Sequence, residues 1–295
     1  MNKRIIKCVL SKKFNELLES VEDIKVKKLM KQNSIITGGA IVSLLLNEEV
    51  NDYDIYFTNK ETCLEVAKYY VNKFNQAHEN VGAKIVEDGD RIKVFIQSAG
   101  VAGNDETEPN LESYEEHDTM QTNITPESDL ENIPVKPKYK PVYLSSNAIT
   151  LSDKVQLVIR FYGDAENIHK NYDFVHCTNY WTSGDNELAL RQDALEAILN
   201  KELRYVGSKY PLCSIIRTRK FITRGWTINA GQYLKMCMNL QDFNLKDIKT
   251  LEDQLVGVDS GYFAILINDL QKQKEGNPNF EVDNSYVAQI IDKIF

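Results

Sequence analysis

The stretch Ser34-Ile35-Ile36-Thr37-Gly38-Gly39-Ala40-Ile41-Val42-Ser43-Leu44-Leu45-Leu46 runs through a loop at 47–51 into Asp52-Tyr53-Asp54-Ile55-Tyr56-Phe57, and it decides the fold. Ser34–Thr37 is short and apolar and predicts a strand. The two glycines are followed by an apolar run at 40–46 that predicts a helix, and 52–57 predicts a second strand. Residues i and i+2 of a strand share a face, so Asp52 and Asp54 project side by side. Two close carboxylates repel each other, and a divalent cation is one way to relieve this; hard oxygen ligands suit Mg²⁺. Gly38 and Gly39, between strand and helix, let a triphosphate approach backbone N–H groups at the positive end of the helix dipole. Asp-x-Asp alone reads as a solvated strand end, and Gly-Gly alone as a turn. Their order, strand, Gly-Gly, helix, loop, Asp-x-Asp strand, is what makes the signal specific.

Outward from this stretch, apolar residues spaced by 3–4 predict one or two amphipathic helices over 12–31, and another helix is predicted over 60–76. Residues 84–86 and 91–96 flank Asp88-Gly89-Asp90, a hairpin turn signal. Strand patterns return at 148–151 and at Val155, Leu157, Ile159 and Phe161. Asp164 predicts an N-cap for a short helix through His169, and 172–177 predicts a last strand. Beyond residue 187 the pattern is helical: 187–200, 212–223, 229–238, 260–273 and 284–294. The predicted class is α+β. A small mixed or antiparallel sheet flanked by helices fills 1–180, and an all-helical domain fills 181–295.

The chain has 295 residues, or about two domains at roughly 150 residues each. Its net charge of −8 weighs against a polyanionic partner only if it is evenly spread. It is not. Residues 99–134 hold ten acids and no Lys or Arg, which predicts a disordered insertion and leaves +2 on the remainder. Residues 191–235 hold nine basic residues against three acidic ones. At helical spacing Arg217 and Lys220 share a face, with Arg219 beside them and Arg224 following. Such a face suits an NTP triphosphate or an RNA backbone, with Tyr205, Tyr210 and Trp226 available to stack on bases; the plainer reading is a solvated helix face with aromatics in the core. Five widely spaced cysteines predict reduced thiols in a cytoplasmic protein, and adjacent His176-Cys177 lacks the spacing of a zinc site. No apolar run approaches the length of a membrane span, and the basic start is broken by lysines, unlike a secretory signal.

The Gly-Gly and Asp-x-Asp stretch resembles the signature of the DNA polymerase β-like nucleotidyltransferase superfamily. Within it, Gly38 to Leu46 followed by Asp52-Tyr53-Asp54-Ile55 is most similar to the head domain of tRNA nucleotidyltransferases and bacterial poly(A) polymerases. The close match covers about 20 residues, and Val42-Ser43 stands where those enzymes usually have Arg-Asp. The resemblance implies two Mg²⁺ ions bridging Asp52, Asp54 and the NTP phosphates. An acceptor hydroxyl then attacks the α-phosphorus in line and pyrophosphate leaves. It also implies a third carboxylate on a later strand. Asp173 is the candidate, with a salt bridge to Lys170 or Arg160 as its plainer explanation; Asp153 and Asp164 are rivals explained by turn and cap roles. Gly38, Gly39, Ser43, Arg217 and Arg224 are the expected nucleotide contacts, and Arg219 and Lys220 the expected RNA or phosphate contacts. The expected acceptor is an RNA, such as a tRNA 3′ end. A protein hydroxyl or small molecule remains an alternative acceptor, and a catalytically silent binding module is a third reading.

Overall fold

The computed structural model describes residues 2–78, 81–89, 91–98, 138–145, 147–255, 261–277, 280 and 282–294. The segment 99–134, expected to be a disordered insertion, lies outside the described residues.

Helix α1 (Lys3–Glu19) buries Ile6, Leu10, Phe14, Leu17 and Leu18, the 3–4 spacing of one helix face. It starts earlier than the pattern at 12–31 indicates, because the Asn2 side chain accepts from the Ile5 N–H at 2.9 Å and caps it. Helix α2 (Ile24–Asn33), capped by Asp23, leads into β1 (Ser34–Thr37). Helix α3 (Gly39–Leu46) follows the glycine turn, then β2 (Tyr53–Phe57) and α4 (Lys60–Ala77). Strands β3 (Val81–Asp88) and β4 (Arg91–Ser98) form the predicted hairpin as a separate two-stranded sheet. Strands β5 (Pro141–Leu144), β6 (Ala148–Leu151) and β7 (Val155–Tyr162) precede α5 (Ala165–His169), whose cap is Asp164 as predicted.

The main sheet is mixed, in the order β5-β6-β7-β2-β1-β8-β9, where β8 is Tyr180–Thr182 and β9 is Glu187–Ala189. Only β2 and β7 pair in parallel, with Asp54 opposite Gln156; the other pairs are antiparallel. Ile36, Ile55 and Leu157 face the principal core with side chains of α1, α2 and α4. Ile35 and Tyr56 face the other side, against Ala165 and Ile168 of α5. The chain is thus α+β, with C-terminal helices α6 (Gln192–Asn200), α7 (Pro211–Thr223), α8 (Ala230–Leu240), α9 (Ile248–Leu255), α10 (Gly261–Gly276) and α11 (Asn284–Ile294). Val42 of α3 joins Ile198, Leu203, Trp226 and Met236 in a second core that ties the sheet to these helices.

Three strands and one helix escape the sequence pattern. β5, β8 and β9 are three or four residues long, and α9 is a two-turn helix whose cap is Asp247. The helix predicted over 187–200 begins as β9, because Leu188 pairs with Trp181 and both are buried in the principal core. The sheet therefore extends past residue 180. The strand predicted over 172–177 is not formed. The Tyr172 N–H closes the end of α5 on the His169 carbonyl at 3.0 Å, and Val175–Thr178 is a 3-10 helix. Phe174 bridges Tyr205 of the helical region instead of joining the sheet, so the apolar run reflects burial between the two regions.

Candidate active site

Gly38 makes the turn between β1 and α3 with φ +90°, a conformation that L side chains rarely adopt. A Cβ at this position would lie 3.4 Å from Asp54 Oδ2 and 3.5 Å from the Tyr172 hydroxyl. Both are ordinary contact distances, so the turn sits beside the Asp54 carboxylate and it is the backbone conformation that calls for glycine. The Gly38 N–H donates to the Cys177 carbonyl at 3.2 Å, which fixes the turn to the 3-10 helix. α3 then starts without a side-chain cap, and a Cβ on Gly39 would meet nothing within 4 Å.

Asp52 is exposed just before β2, and Asp54 is partly buried within it. Burial and the neighbouring Asp52 charge push the Asp54 carboxyl up to about 8, with the Lys220 ammonium opposing them. Lys220 of α7 is thus near enough for its charge to act on Asp54. The loop before Asp52 is clamped by Lys154, whose ammonium donates to the Val50 carbonyl at 3.0 Å and pairs with Glu49, while its carbonyl accepts from the Tyr53 N–H at 2.8 Å.

The Asp54 face of β2 continues into Tyr56, whose hydroxyl lies among Asp54, Tyr172, Cys177 and Arg217. Burial next to these groups lifts the Cys177 thiol to about 12 and raises both tyrosines, so all three stay protonated at neutral pH. On β7 the residue in register with Asp54 is Gln156, an amide. Thr37, at the end of β1, bonds His169 Nε2 at 2.8 Å, and burial together with Arg191 lowers that imidazole to about 4.

Asp173 is buried in the loop after α5, 6% exposed, and pairs with Arg217 of α7; its Oδ1 has no described partner. The partner is Arg217, where sequence suggested Lys170 or Arg160. Burial disfavours the guanidinium charge, and Asp173 more than offsets this. Asp153 and Asp164 hold the turn and cap positions their patterns indicate. Among the described residues, no group of three His, Cys, Asp or Glu is placed to hold a metal ion.

The other expected contacts divide. Arg217 and Lys220 do share an α7 face, turned toward Asp173 and Asp54. Arg219 is exposed, and Arg224 is the exposed C-cap of the same helix. Ser43 lies toward the far end of α3, where its carbonyl accepts from Asn47 and Glu48. Tyr205 and Trp226 are buried, and Tyr210 is bonded to Arg160 and stacks on it, so these aromatics serve packing rather than a base platform. His176 is fully buried against Phe174, Phe221 and Trp226. Tyr172, Cys177 and Gln156 are the site residues that sequence reading missed. A polar Tyr-Asp step inside an apolar run was the one available signal.

β1 and β2 are thus paired, and the glycine turn after β1 lies beside Asp54 of β2. The chain belongs to the Gabija anti-defense 2 family, whose profile matches residues 9–201. A curated relative, "Gabija anti-defense 2" of Bacillus phage SPbetaL7, is 21% identical over 272 residues. The match takes in 91% of this chain and 52% of that protein, so the chain spans about half the length of the relative. Solved structures with some likeness include the Thermotoga maritima CCA-adding enzyme complexed with tRNA-CCA, at 13% identity and TM-score 0.38 over 93% of this chain and 58% of that one. The Bacillus stearothermophilus CCA-adding enzyme in complex with CTP, at 13% identity and TM-score 0.38, is matched over 83% of this chain and 49% of that one. No helix among the described residues is long and apolar enough to cross a membrane.

Proposed function

We propose that this protein is a Mg²⁺-dependent nucleotidyltransferase. It moves a nucleoside monophosphate from an NTP to an acceptor hydroxyl and releases pyrophosphate, and the modified acceptor serves the anti-defense role its family name carries. The supporting observation is the Asp52–Asp54 pair set against the side-chain-free turn at Gly38.

The donor set fits a hard cation. Asp54 resists ionisation because it is desolvated next to Asp52, and a cation between them removes that penalty. When bound by Asp52 and Asp54, Mg²⁺ supplies positive charge to the NTP phosphates. Gly38 and Gly39 leave room for those phosphates at the uncapped start of α3. Lys220 of α7 adds a positive charge that acts on Asp54. Arg217 holds Asp173, so Asp173 acts as a third carboxylate only when that pair opens. Gln156 contributes an amide where a carboxylate would face Asp54. Asp52 and Asp54 would hold one ion, and a second would need ligands beyond these two carboxylates.

The acceptor divides the readings. An RNA acceptor such as a tRNA 3′ end draws support from the exposed cations Arg219, Lys220 and Arg224 at one end of α7. A protein hydroxyl or small molecule draws support from the family name and from Val42-Ser43 in place of Arg-Asp. Incubation with each α-labelled NTP, Mg²⁺, and RNA, protein and metabolite fractions from host cells separates them by where the label goes. No label in any fraction, with Asp52→Asn and Asp54→Asn indistinguishable from wild type, rejects the enzymatic reading.

A further inference from the structure

A cleft of about 970 Å³ opens where α5, the 3-10 helix, α6 and α8 meet; Tyr172 lines it, and Asp52 and Asp54 do not. Its rim carries Lys170, Lys209 and Lys235, all exposed. Lys170 donates to Asn167 and Lys235 to Gln232, while Lys209 stands 5.7 Å over the Phe161 ring. None of the three pairs with a described carboxylate. Arg191, also in the lining, pairs with Glu166. On the inner wall, His169 is 6% exposed and its Nδ1 has no described partner.

The wall is built before any ligand arrives. The loop 205–209 is pinned at four points: the Tyr205 N–H to Gln232 at 2.9 Å, the Val206 N–H to the Asp173 carbonyl at 3.0 Å, the Ser208 N–H to Asn239 at 3.4 Å, and the Lys209 carbonyl to Gln254 at 2.9 Å. Three unpaired ammonium groups over one concavity select an anion with concentrated charge, which means phosphate. The volume is that of a pocket for a drug-sized ligand and far exceeds a bare phosphate ion. Asp193 and the amide N–H group of Asn239, whose oxygen already holds the loop, supply hydrogen-bonding groups for ribose hydroxyls and a base.

We propose that this cleft, whose lining includes neither Asp52 nor Asp54, is a second ligand site that binds a nucleoside phosphate without a metal ion. The shared chemistry is a phosphate monoester on a nucleoside, either a free nucleotide or the phosphorylated end of a nucleic acid. The site goes beyond the transfer chemistry proposed above and stands without it.

Calorimetric titration of the full chain in EDTA, with AMP and with a 5′-phosphorylated tetranucleotide as probes, tests the site. One or both probes bind. Stronger binding of AMP identifies a free nucleotide, and stronger binding of the tetranucleotide a nucleic-acid end. The double variant Lys209→Glu/Lys235→Glu weakens binding at least tenfold, and Asp54→Asn leaves it unchanged. The lysines are exposed, so the variant keeps its melting temperature; Lys209→Gln/Lys235→Gln, which loses charge without reversing it, gives an intermediate loss. Absence of binding by both probes overturns the proposal, as does wild-type affinity in the lysine variants or loss of binding in Asp54→Asn.

Discussion

Gly38 and Gly39 look equivalent in sequence and are opposite in structure. Gly38 has φ +90° and abuts Asp54 and Tyr172, whereas a Cβ on Gly39 meets open space at the start of a helix. Gly38→Ala is therefore expected to cost about 1–2 kcal/mol of stability through backbone strain at its positive φ. Gly39→Ala should be neutral or slightly stabilising. Thermal melts of the two variants check this, and equal effects would contradict it. A second residue-scale expectation concerns acid. Burial pushes His176 down to about 3, and burial with Arg191 pushes His169 to about 4. The unfolded chain takes up these protons near pH 6.5 and the folded chain does not, so stability is full above that pH and falls as pH drops below it. The slope is about 1.4 kcal/mol per pH unit for each histidine. Denaturant melts from pH 7 to pH 5 should show the decline, and His176→Phe should flatten it; an unchanged slope in that variant would rule His176 out as a source.

At the scale of elements, α7 is the piece that gives the site its cationic wall. Its Arg217 holds Asp173; the carboxylate is 6% exposed and the guanidinium 38%, so removing Arg217 leaves a buried charge and removing Asp173 leaves one that water reaches. Arg217→Leu is expected to cost about 3 kcal/mol and Asp173→Ala about 1 kcal/mol, and adding Asp173→Ala to Arg217→Leu to recover part of the larger loss. Activity measured well below the melting temperature separates the roles of Asp173. If it only anchors α7, the double variant retains turnover; if it ligates metal, both variants lacking Asp173 lose it. The glycine turn, α3 and the Asp-x-Asp strand were legible because they are contiguous, and a local pattern suffices to read them. Asp173 was legible as an unusual buried acid but not in its partner, which lies 44 residues on in a helix that no local pattern places. β8 and β9 were illegible because three residues carry no period, and only the Trp181–Leu188 pairing reveals them. Tyr172 and Gln156 reach the site through α5 and a parallel strand crossing, and neither bears a motif.

For the whole molecule, charge distribution decides more than net charge. Outside 99–134 the chain is slightly basic, and the excess falls at 191–235. Several of those cations are already engaged: Arg191 with Glu166, Lys201 with Glu48, Arg204 with Glu196 and Glu202, and Arg217 with Asp173. A nucleic-acid footprint would therefore draw on Lys209, Arg219, Lys220, Arg224 and Lys235. Binding of a single-stranded RNA is expected to weaken with salt at a slope set by a few contacts, and a flat response would remove RNA from the candidate acceptors. Pyrophosphate release is the immediate readout of the nucleotidyl transfer proposed at Asp52 and Asp54. With NTP, Mg²⁺ and a host-cell extract as the source of acceptor, wild type should release pyrophosphate above the extract alone. Asp54→Asn should fall at least a hundredfold while keeping its melting temperature. Equal release by wild type and a well-folded Asp54→Asn would contradict the account.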